Sequence, residues 1–207
     1  MTGRTDVRRK AVWGGRFALG VIAALLALAA SGCSKAIRTG QSPGYLVMTN
    51  LQGAAGLTGP FGSVLQSDVL NVDQTTGRTS IAPDRGQATL TLQMKDSLTQ
   101  PSPANAITIT QYRVEYVRAD GRNTQGVDVP YAFDGAVTVT VSGAATVPFT
   151  LVRIQAKEEA PLAGLARGGG AIDITTIARV TFYGHDQNGR EVSVTGNIEV
   201  TFSDWAG

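Results

Sequence analysis

The sequence predicts an all-β domain in which antiparallel strands form a sandwich or barrel, and three observations lead to this fold class. From Tyr45 onward, apolar and polar residues alternate with a period of two, as in the run 137–141, which reads Val-Thr-Val-Thr-Val. The alternating runs are rich in Val, Ile and Thr, which favour strands with one buried face. No stretch after Cys33 keeps a helical period over three turns. Strands that lack crossover helices pair antiparallel.

The strand boundaries follow from the alternating runs and the turn residues between them. Asn188-Gly189 separates two long alternating runs and is the strongest hairpin signal, because this dipeptide accepts the positive φ of tight turns. Asp120-Gly121 and Asp134-Gly135 are predicted to be turns for the same reason. Polar stretches with Gly and Pro predict long loops over 71–87 and 163–171. The predicted strands lie near residues 45–51, 63–70, 87–95, 105–118, 128–133, 136–142, 147–157, 172–184 and 190–203.

Two of these strands change frame partway along. Apolar residues occupy odd positions up to Ile109 and even positions from Tyr112, and the same change occurs between Leu151 and Val152. Because a slip of one residue moves a side chain to the other face, each change predicts a bulge, a bend or a change of sheet. The last two strands should supply much of the core, through Val180, Phe182, Ile198, Val200 and Phe202.

The stretch from Gln87 to Phe202 resembles immunoglobulin-like and fibronectin type III sandwiches. The resemblance rests on the number of strands, on the segment Tyr112-Arg113-Val114-Glu115-Tyr116 and on the final hairpin. It implies an antiparallel immunoglobulin-like β-sandwich with a binding or spacing role, although a fold alone does not define a function.

The N-terminus has the three regions of a secretory signal peptide. Basic residues up to Arg16 precede an apolar run from Phe17 to Ala30, and the small residues Ser31 and Gly32 follow. The apolar run is 14 residues long, whereas a membrane-spanning helix needs about 20. We therefore predict a signal peptide over residues 1–32. The Arg8-Arg9 pair also allows twin-arginine export, but the residues after it favour the general route.

The sequence Ala30-Ser31-Gly32-Cys33 resembles the lipobox of bacterial lipoproteins, and Cys33 is the only cysteine in the chain. The resemblance implies cleavage before Cys33, lipidation of its sulfur and attachment to a membrane. Several acyl chains give stable anchoring, whereas one chain binds only marginally. The alternative is an ordinary signal peptide that leaves a free thiol. Ser34 is not the aspartate that favours inner-membrane retention, so the outer membrane is the expected location in a cell with two membranes.

Composition separates a tether from a domain and excludes one class of partner. Residues 33–44 are rich in Gly, Ser and Pro and predict a flexible tether after the lipidated cysteine, followed by a β-sandwich domain over residues 45–207. Residues 1–32 contain five of the 18 basic and one of the 16 acidic residues, so the remaining chain has a net charge near −2. It has no basic run, which argues against a nucleic-acid partner.

The sequence offers no cluster of residues for catalysis or metal binding. His185 is the only histidine and is predicted to be an exposed turn residue, and no G-x-S-x-G motif is present. One histidine and one lipidated cysteine make zinc improbable. The loops at Asp120 and Asp186 leave calcium as an alternative, although each offers few carboxylates. Lys157 beside Glu158-Glu159 is predicted to be a solvated strand end. We therefore predict no catalytic residue, metal or cofactor, and no enzyme activity.

These observations predict a non-catalytic lipoprotein with a structural or protein-interaction role in the cell envelope. The loops 71–87 and 163–171, together with Trp205, are the hypothesised contacts with an envelope protein. The alternative is that both loops are only mobile and that Trp205 caps the open end of the sandwich. The alternative is a module that binds carbohydrate or another envelope polymer, to which Tyr131, Phe133 and Tyr183 could contribute.

Overall fold

The structure is a computed structural model that describes residues 41–73, 75–166 and 172–205. Its regular elements are almost all strands, joined by one short helix, α1, at Ile154–Glu158 and by 3-10 turns at Pro103–Asn105 and Leu162–Gly164. In this described part, no helix is long and apolar enough to cross a membrane. The strands are β1 Gly44–Ala54, β2 Val64–Asp68, β3 Asn71–Val72, β4 Thr79–Ser80, β5 Asp84–Met94, β6 Ile107–Val117, β7 Phe133–Val141, β8 Ala144–Val152, β9 Ile174–Asp186 and β10 Glu191–Ser203.

The strands form a sandwich of two sheets. One sheet has the order β1-β5-β8 and the other has the order β2-β10-β9-β6-β7, while β3 and β4 form a small separate ladder. All neighbours are antiparallel except β2, which pairs with β10 in parallel. The predicted all-β sandwich is confirmed, with the parallel edge strand as an addition that the alternation of side chains could not reveal.

The core lies between the two sheets, where the inward-facing side chains of each strand meet. Four of its aromatic rings pack edge-on or tilted against one another, with centroids 5.3–6.2 Å apart. The side chains predicted for the core are all buried, namely Val180, Phe182, Ile198, Val200 and Phe202. This part of the prediction is confirmed.

Two glycines leave room for aromatic rings of neighbouring strands. Gly135 on β7 lies opposite Tyr112 on β6, and a Cβ at Gly135 would come within 2.2 Å of that ring. Gly86 on β5 lies opposite Phe149 on β8, and a Cβ at Gly86 would likewise come within 2.2 Å of the Phe149 ring. The predicted turn at Asp134-Gly135 is therefore wrong, because Gly135 continues the strand. The predicted strand 128–133 is also wrong, since only Phe133 belongs to a strand there.

The two predicted changes of frame have different structural causes. On β6 the register shifts between Ile109 and Gln111 against both neighbouring strands, as at a bulge, which is one of the three predicted alternatives. At the second change of frame, β8 ends at Val152, one residue after Leu151, and α1 begins at Ile154. The predicted strand 147–157 is therefore wrong in its second half, where a helical turn brings Ala156 and Lys157 inward.

The predicted loops also need correction. Within 71–87, residues of β3 and β4 form a short ladder, and β5 begins at Asp84, so the loop is shorter than predicted. Of the predicted loop 163–171, residues 163–166 are described and residues 167–171 are not; Leu165 is buried in the core cluster. Local polarity therefore did not predict where β5 begins, because its first residues pair with β1 and β8, which are distant in the sequence.

The strand directions define two ends of the domain. The end that we call the entry pole holds residues 42–43 and the turns 142–143 and 187–190. The other end, the far pole, holds α1 and Trp205. Strands of 11 residues, such as β1, span about 35 Å, which is the approximate separation of the two poles.

Candidate functional site

A groove lies on the outer face of the five-stranded sheet. Its volume is about 1000 Å³. It lies over β6, β7, β9 and β10, towards the entry pole. Its lining is polar and apolar in equal parts and carries both signs of charge. The lining residues are Thr110, Gln111, Arg113, Asp134, Tyr183, Gly184, His185, Gly189, Glu191, Val192 and Ser193.

Ion pairs fix the charged floor of this groove. The Arg113 guanidinium donates hydrogen bonds of 2.9 Å to Glu115 and to Asp134. These bonds, first that to Glu115 and then that to Asp134, raise the pKa of Arg113 above its usual range. Because all three side chains are partly exposed, the pairs contribute little to stability. They fix the position of the guanidinium, and a ligand with oxygen acceptors could reach its remaining N–H donors.

Tyr183 supplies the apolar surface of the groove. It faces outward on β9 between Gln111 and Ser193, and 39% of the side chain is exposed. His185, two residues further on the same face, is exposed, and its Nδ1 lies 3.1 Å from the main-chain oxygen of Asp186. An aromatic ring framed by hydrogen-bonding groups is suited to a sugar or to a peptide.

Asp186 organises the turn that closes the groove. Its Oδ1 accepts the main-chain amides of Asn188 and Arg190, each at 2.9 Å. Burial by itself raises the pKa of this carboxyl. The hydrogen bonds from those two amides and from the Ser42 side chain lower the pKa by more than burial raises it, so the net shift is downward. The carboxylate is thus used by the hairpin, and Gly189 provides the positive φ, +77°, that the predicted hairpin requires.

The second acidic loop uses its carboxylate in a similar way. Asp120 accepts hydrogen bonds from the side chains of Arg118 and Arg122. Arg118 first, then the main-chain amide of Arg122, holds the pKa of Asp120 well below its usual range. In the part of the chain that the structure describes, no three His, Cys, Asp or Glu side chains lie together where they could hold a metal ion.

Trp205 lies at the far pole, away from the groove. Its side chain is 45% exposed, and its main-chain amide donates to Asp68 at 3.4 Å. Burial raises the pKa of Asp68, with the Trp205 amide acting in the opposite direction. Ile172, which precedes β9 at the same pole, is 65% exposed. Two large apolar side chains are therefore accessible at this end.

The aromatic residues predicted as a possible sugar platform are not brought together. Tyr183 lines the groove, but Phe133 is buried beneath the guanidinium of Arg153. Tyr131 lies in the loop before β7, against Gly126. Cys33 and the tether up to residue 40 lie outside the described residues.

A buried polar cluster at the far pole was missed by the sequence analysis. Lys157 and Asp84 are fully buried, and the Lys157 Nζ lies 3.0 Å from the Asp84 Oδ1. Nζ also donates to the main-chain oxygen of Asp68 at 2.8 Å. Ser67 donates to the other oxygen of Asp84, and the Gly56 amide donates to Oδ1 at 2.8 Å. The prediction that Lys157 is a solvated strand end is wrong, because α1 turns it into the sandwich.

Comparisons with known proteins give little further information. The chain matches no protein-family model, and no curated protein sequence is similar to it. Among solved structures it is similar to the X-ray structure of Northeast Structural Genomics Consortium target SoR45. That match has 10% sequence identity and a TM-score of 0.32, and it covers 79% of this chain and 88% of that chain.

Proposed function

We propose that this chain is a lipoprotein of the bacterial cell envelope, anchored through Cys33, whose β-sandwich serves a non-catalytic structural or protein-interaction role. The sandwich supports such a role because β10, β9, β6 and β7 share one sheet while β5 and β8 lie in the other. Immunoglobulin-like sandwiches divide their strands in this way, and many domains of this kind bind or space other proteins.

The observation that carries the proposal is the exposure of Trp205 and Ile172 at the pole opposite residue 42. If Cys33 carries the lipid, a short tether leads into the domain at the entry pole. The far pole is then the end most distant from the point of attachment along the strands. Exposed tryptophan is enriched at protein interfaces, where it often dominates the binding energy.

Photocrosslinking in intact cells tests the partner proposal. A photoreactive amino acid at position 205 should give a discrete protein adduct. The matched control is position 138 on β7, which is also exposed but lies on the side of the sheet. An adduct at 205 and none at 138 would support the proposal, whereas no adduct at 205, or the same adducts at both positions, would contradict it.

Lipidation is tested by detergent partitioning of the wild type and of Cys33→Ser. The wild type should enter the detergent phase and the variant should stay in the aqueous phase, because stable anchoring needs the acyl chains. The fraction that sediments with outer membranes measures the proposed location. Wild-type protein that remains aqueous would overturn the anchor.

The groove favours a second candidate function, the binding of a carbohydrate or another envelope polymer. The supporting observation is the half-exposed Tyr183 ring beside Arg113 and Asp134. Binding of the purified protein to glycan arrays and to isolated envelope polymers tests this candidate. Tyr183→Ala should abolish binding, while Tyr45→Ala, an equally exposed tyrosine on the opposite sheet, should leave it intact. Equal binding by both variants would reject the groove.

A further inference from the structure

The Lys157–Asp84 pair has a chemical environment that differs from that of every other ion pair in the described residues. Neither side chain has any exposed surface, whereas each of the remaining pairs has at least one member with more than a tenth of its side chain exposed. The groups recorded within hydrogen-bond distance of the pair are the Asp68 carbonyl, the Ser67 hydroxyl and the Gly56 amide. An amine and a carboxyl group are thus held together without access to water.

A charged pair in such a place is costly. The loss of hydration of two buried ions often exceeds their mutual attraction. For Nζ to act as a nucleophile it must first pass a proton to the carboxylate, and this transfer also removes both buried charges. A neutral, desolvated lysine amine is a nucleophile, and Cγ of Asp84 is bonded to the carboxylate oxygen that Nζ contacts at 3.0 Å.

The neighbours of the pair position both reactants. The Asp68 carbonyl accepts one N–H of Lys157 and so fixes the amine. The Ser67 hydroxyl donates to Oδ2, and the Gly56 amide donates to Oδ1. Donors directed at a carboxyl group stabilise the negative charge that develops when a nucleophile adds to it. Reactants held in this way gain the large effective concentration of an intramolecular reaction.

We propose that Lys157 and Asp84 condense to form an isopeptide bond that links α1 to β5. The bond between Nζ and Cγ forms while the bond between Cγ and Oδ1 breaks. Of the three ammonium protons, one stays on the amide nitrogen and two leave with Oδ1 as water. The positive and negative charges disappear together and no atom changes oxidation state, so no oxidant or reductant is required. Oδ2 becomes the amide carbonyl oxygen and keeps the hydrogen bond from Ser67.

Tryptic mapping of the denatured full-length protein tests this proposal directly. Trypsin cleaves on both sides of Asp84, after Arg78 and Arg85, and it cannot cleave after a lysine whose amine is an amide. We therefore expect a branched species in which peptide 79–85 is joined to peptide 154–167, with a mass one water below the sum of the two. Because the measurement uses wild-type protein, it does not depend on any variant folding.

The same digest contains the result that would overturn the proposal. Free peptides 79–85, 154–157 and 158–167 as the main products would show that the pair is only ionic. Lys157→Arg is the control for the assignment, because its guanidinium keeps the charge but does not form the amide. It should release peptide 79–85 in full, and a branched species that persists in this variant would contradict the assignment to Lys157.

Discussion

The phenol oxygen of Tyr116 donates a hydrogen bond of 2.6 Å to the main-chain carbonyl of Leu151, and this bond crosses from one sheet of the sandwich to the other. The amide of Thr150, the residue before Leu151, donates a hydrogen bond to the phenol oxygen of Tyr112. Both tyrosines come from β6, and both partners come from β8. The two bonds give the packed sheets a fixed alignment that apolar contacts, which have no direction, cannot provide.

Removal of the Tyr116 hydroxyl should weaken this alignment. Tyr116→Phe leaves a buried carbonyl without that donor, and we expect the free energy of unfolding to fall by about 1–3 kcal/mol. Urea denaturation provides the measurement. Tyr45→Phe, which alters an exposed ring, should change stability by less than about 0.5 kcal/mol. Equal effects of the two substitutions would refute the structural role of the Tyr116 hydroxyl.

The same tyrosine should make the domain sensitive to alkali. Burial raises the pKa of Tyr116 well above its usual value. The unfolded chain releases this proton near pH 10 while the folded chain keeps it. The contribution of Tyr116 to the free energy of unfolding is therefore fully present below pH 10. Above pH 10 it declines by about 1.4 kcal/mol per pH unit. Unfolding curves at pH 8–11 should show a shallower decline for Tyr116→Phe, and identical slopes would disprove this assignment.

Asp186 should make the domain sensitive to acid. Its lowered pKa means that its stabilising effect is present above the unfolded value, about 3.9, and is lost as the pH falls through the folded value. Asp186→Asn keeps an oxygen acceptor for the turn but cannot titrate. Thermal unfolding between pH 2 and pH 6 should therefore show a smaller acid-induced loss for the variant. A loss equal to that of the wild type would exclude Asp186 as its source.

Gly86 should not tolerate a side chain. A Cβ there would lie within 2.2 Å of the Phe149 ring, which packs against Phe182 with centroids 5.3 Å apart. We expect Gly86→Ala to cost about 1–3 kcal/mol through overpacking. Gly143→Ala is the matched control, because a Cβ at that turn would have no neighbour within 4 Å. Unfolding free energies that do not distinguish the two variants would show that the ring moves freely aside.

Phe202 should be one of the most costly positions to truncate. The side chain has no exposed surface and packs edge-on against Tyr116 with centroids 5.5 Å apart. Phe202→Ala should lower the free energy of unfolding by about 3–5 kcal/mol. Thr201→Ala, at the adjacent outward position, should cost much less. A loss below about 1 kcal/mol for Phe202→Ala would remove this residue from the core.

Much of the sandwich was predictable because the period of two in a strand is a local property. The alternation around Phe182 and Phe202 predicted which side chains are buried, and the structure confirms it. The change of frame after Ile109 predicted a bulge, a bend or a change of sheet, because no regular strand can bury both of its halves, and the register does shift there. Asn188-Gly189 predicted the hairpin through the backbone conformation that those two residues accept.

The candidate sites depended instead on residues that are distant in the sequence. Nothing around Lys157 predicts burial, because its partner Asp84 is 73 residues away and lies on another strand. The pair Asp134-Gly135 predicted a turn, whereas the glycine is in a strand and leaves space for the ring of Tyr112. That ring belongs to a neighbouring strand, so the residues around Gly135 do not reveal it.

The groove likewise arises only when β6, β7, β9 and β10 are placed side by side. The sequence by itself therefore determined most of the strands and their buried faces, which depend on neighbouring residues, while the export signal stays a prediction. The tertiary structure decided the buried pair, the parallel edge strand and the groove, because each depends on contacts between strands whose order in the sheet no local pattern encodes.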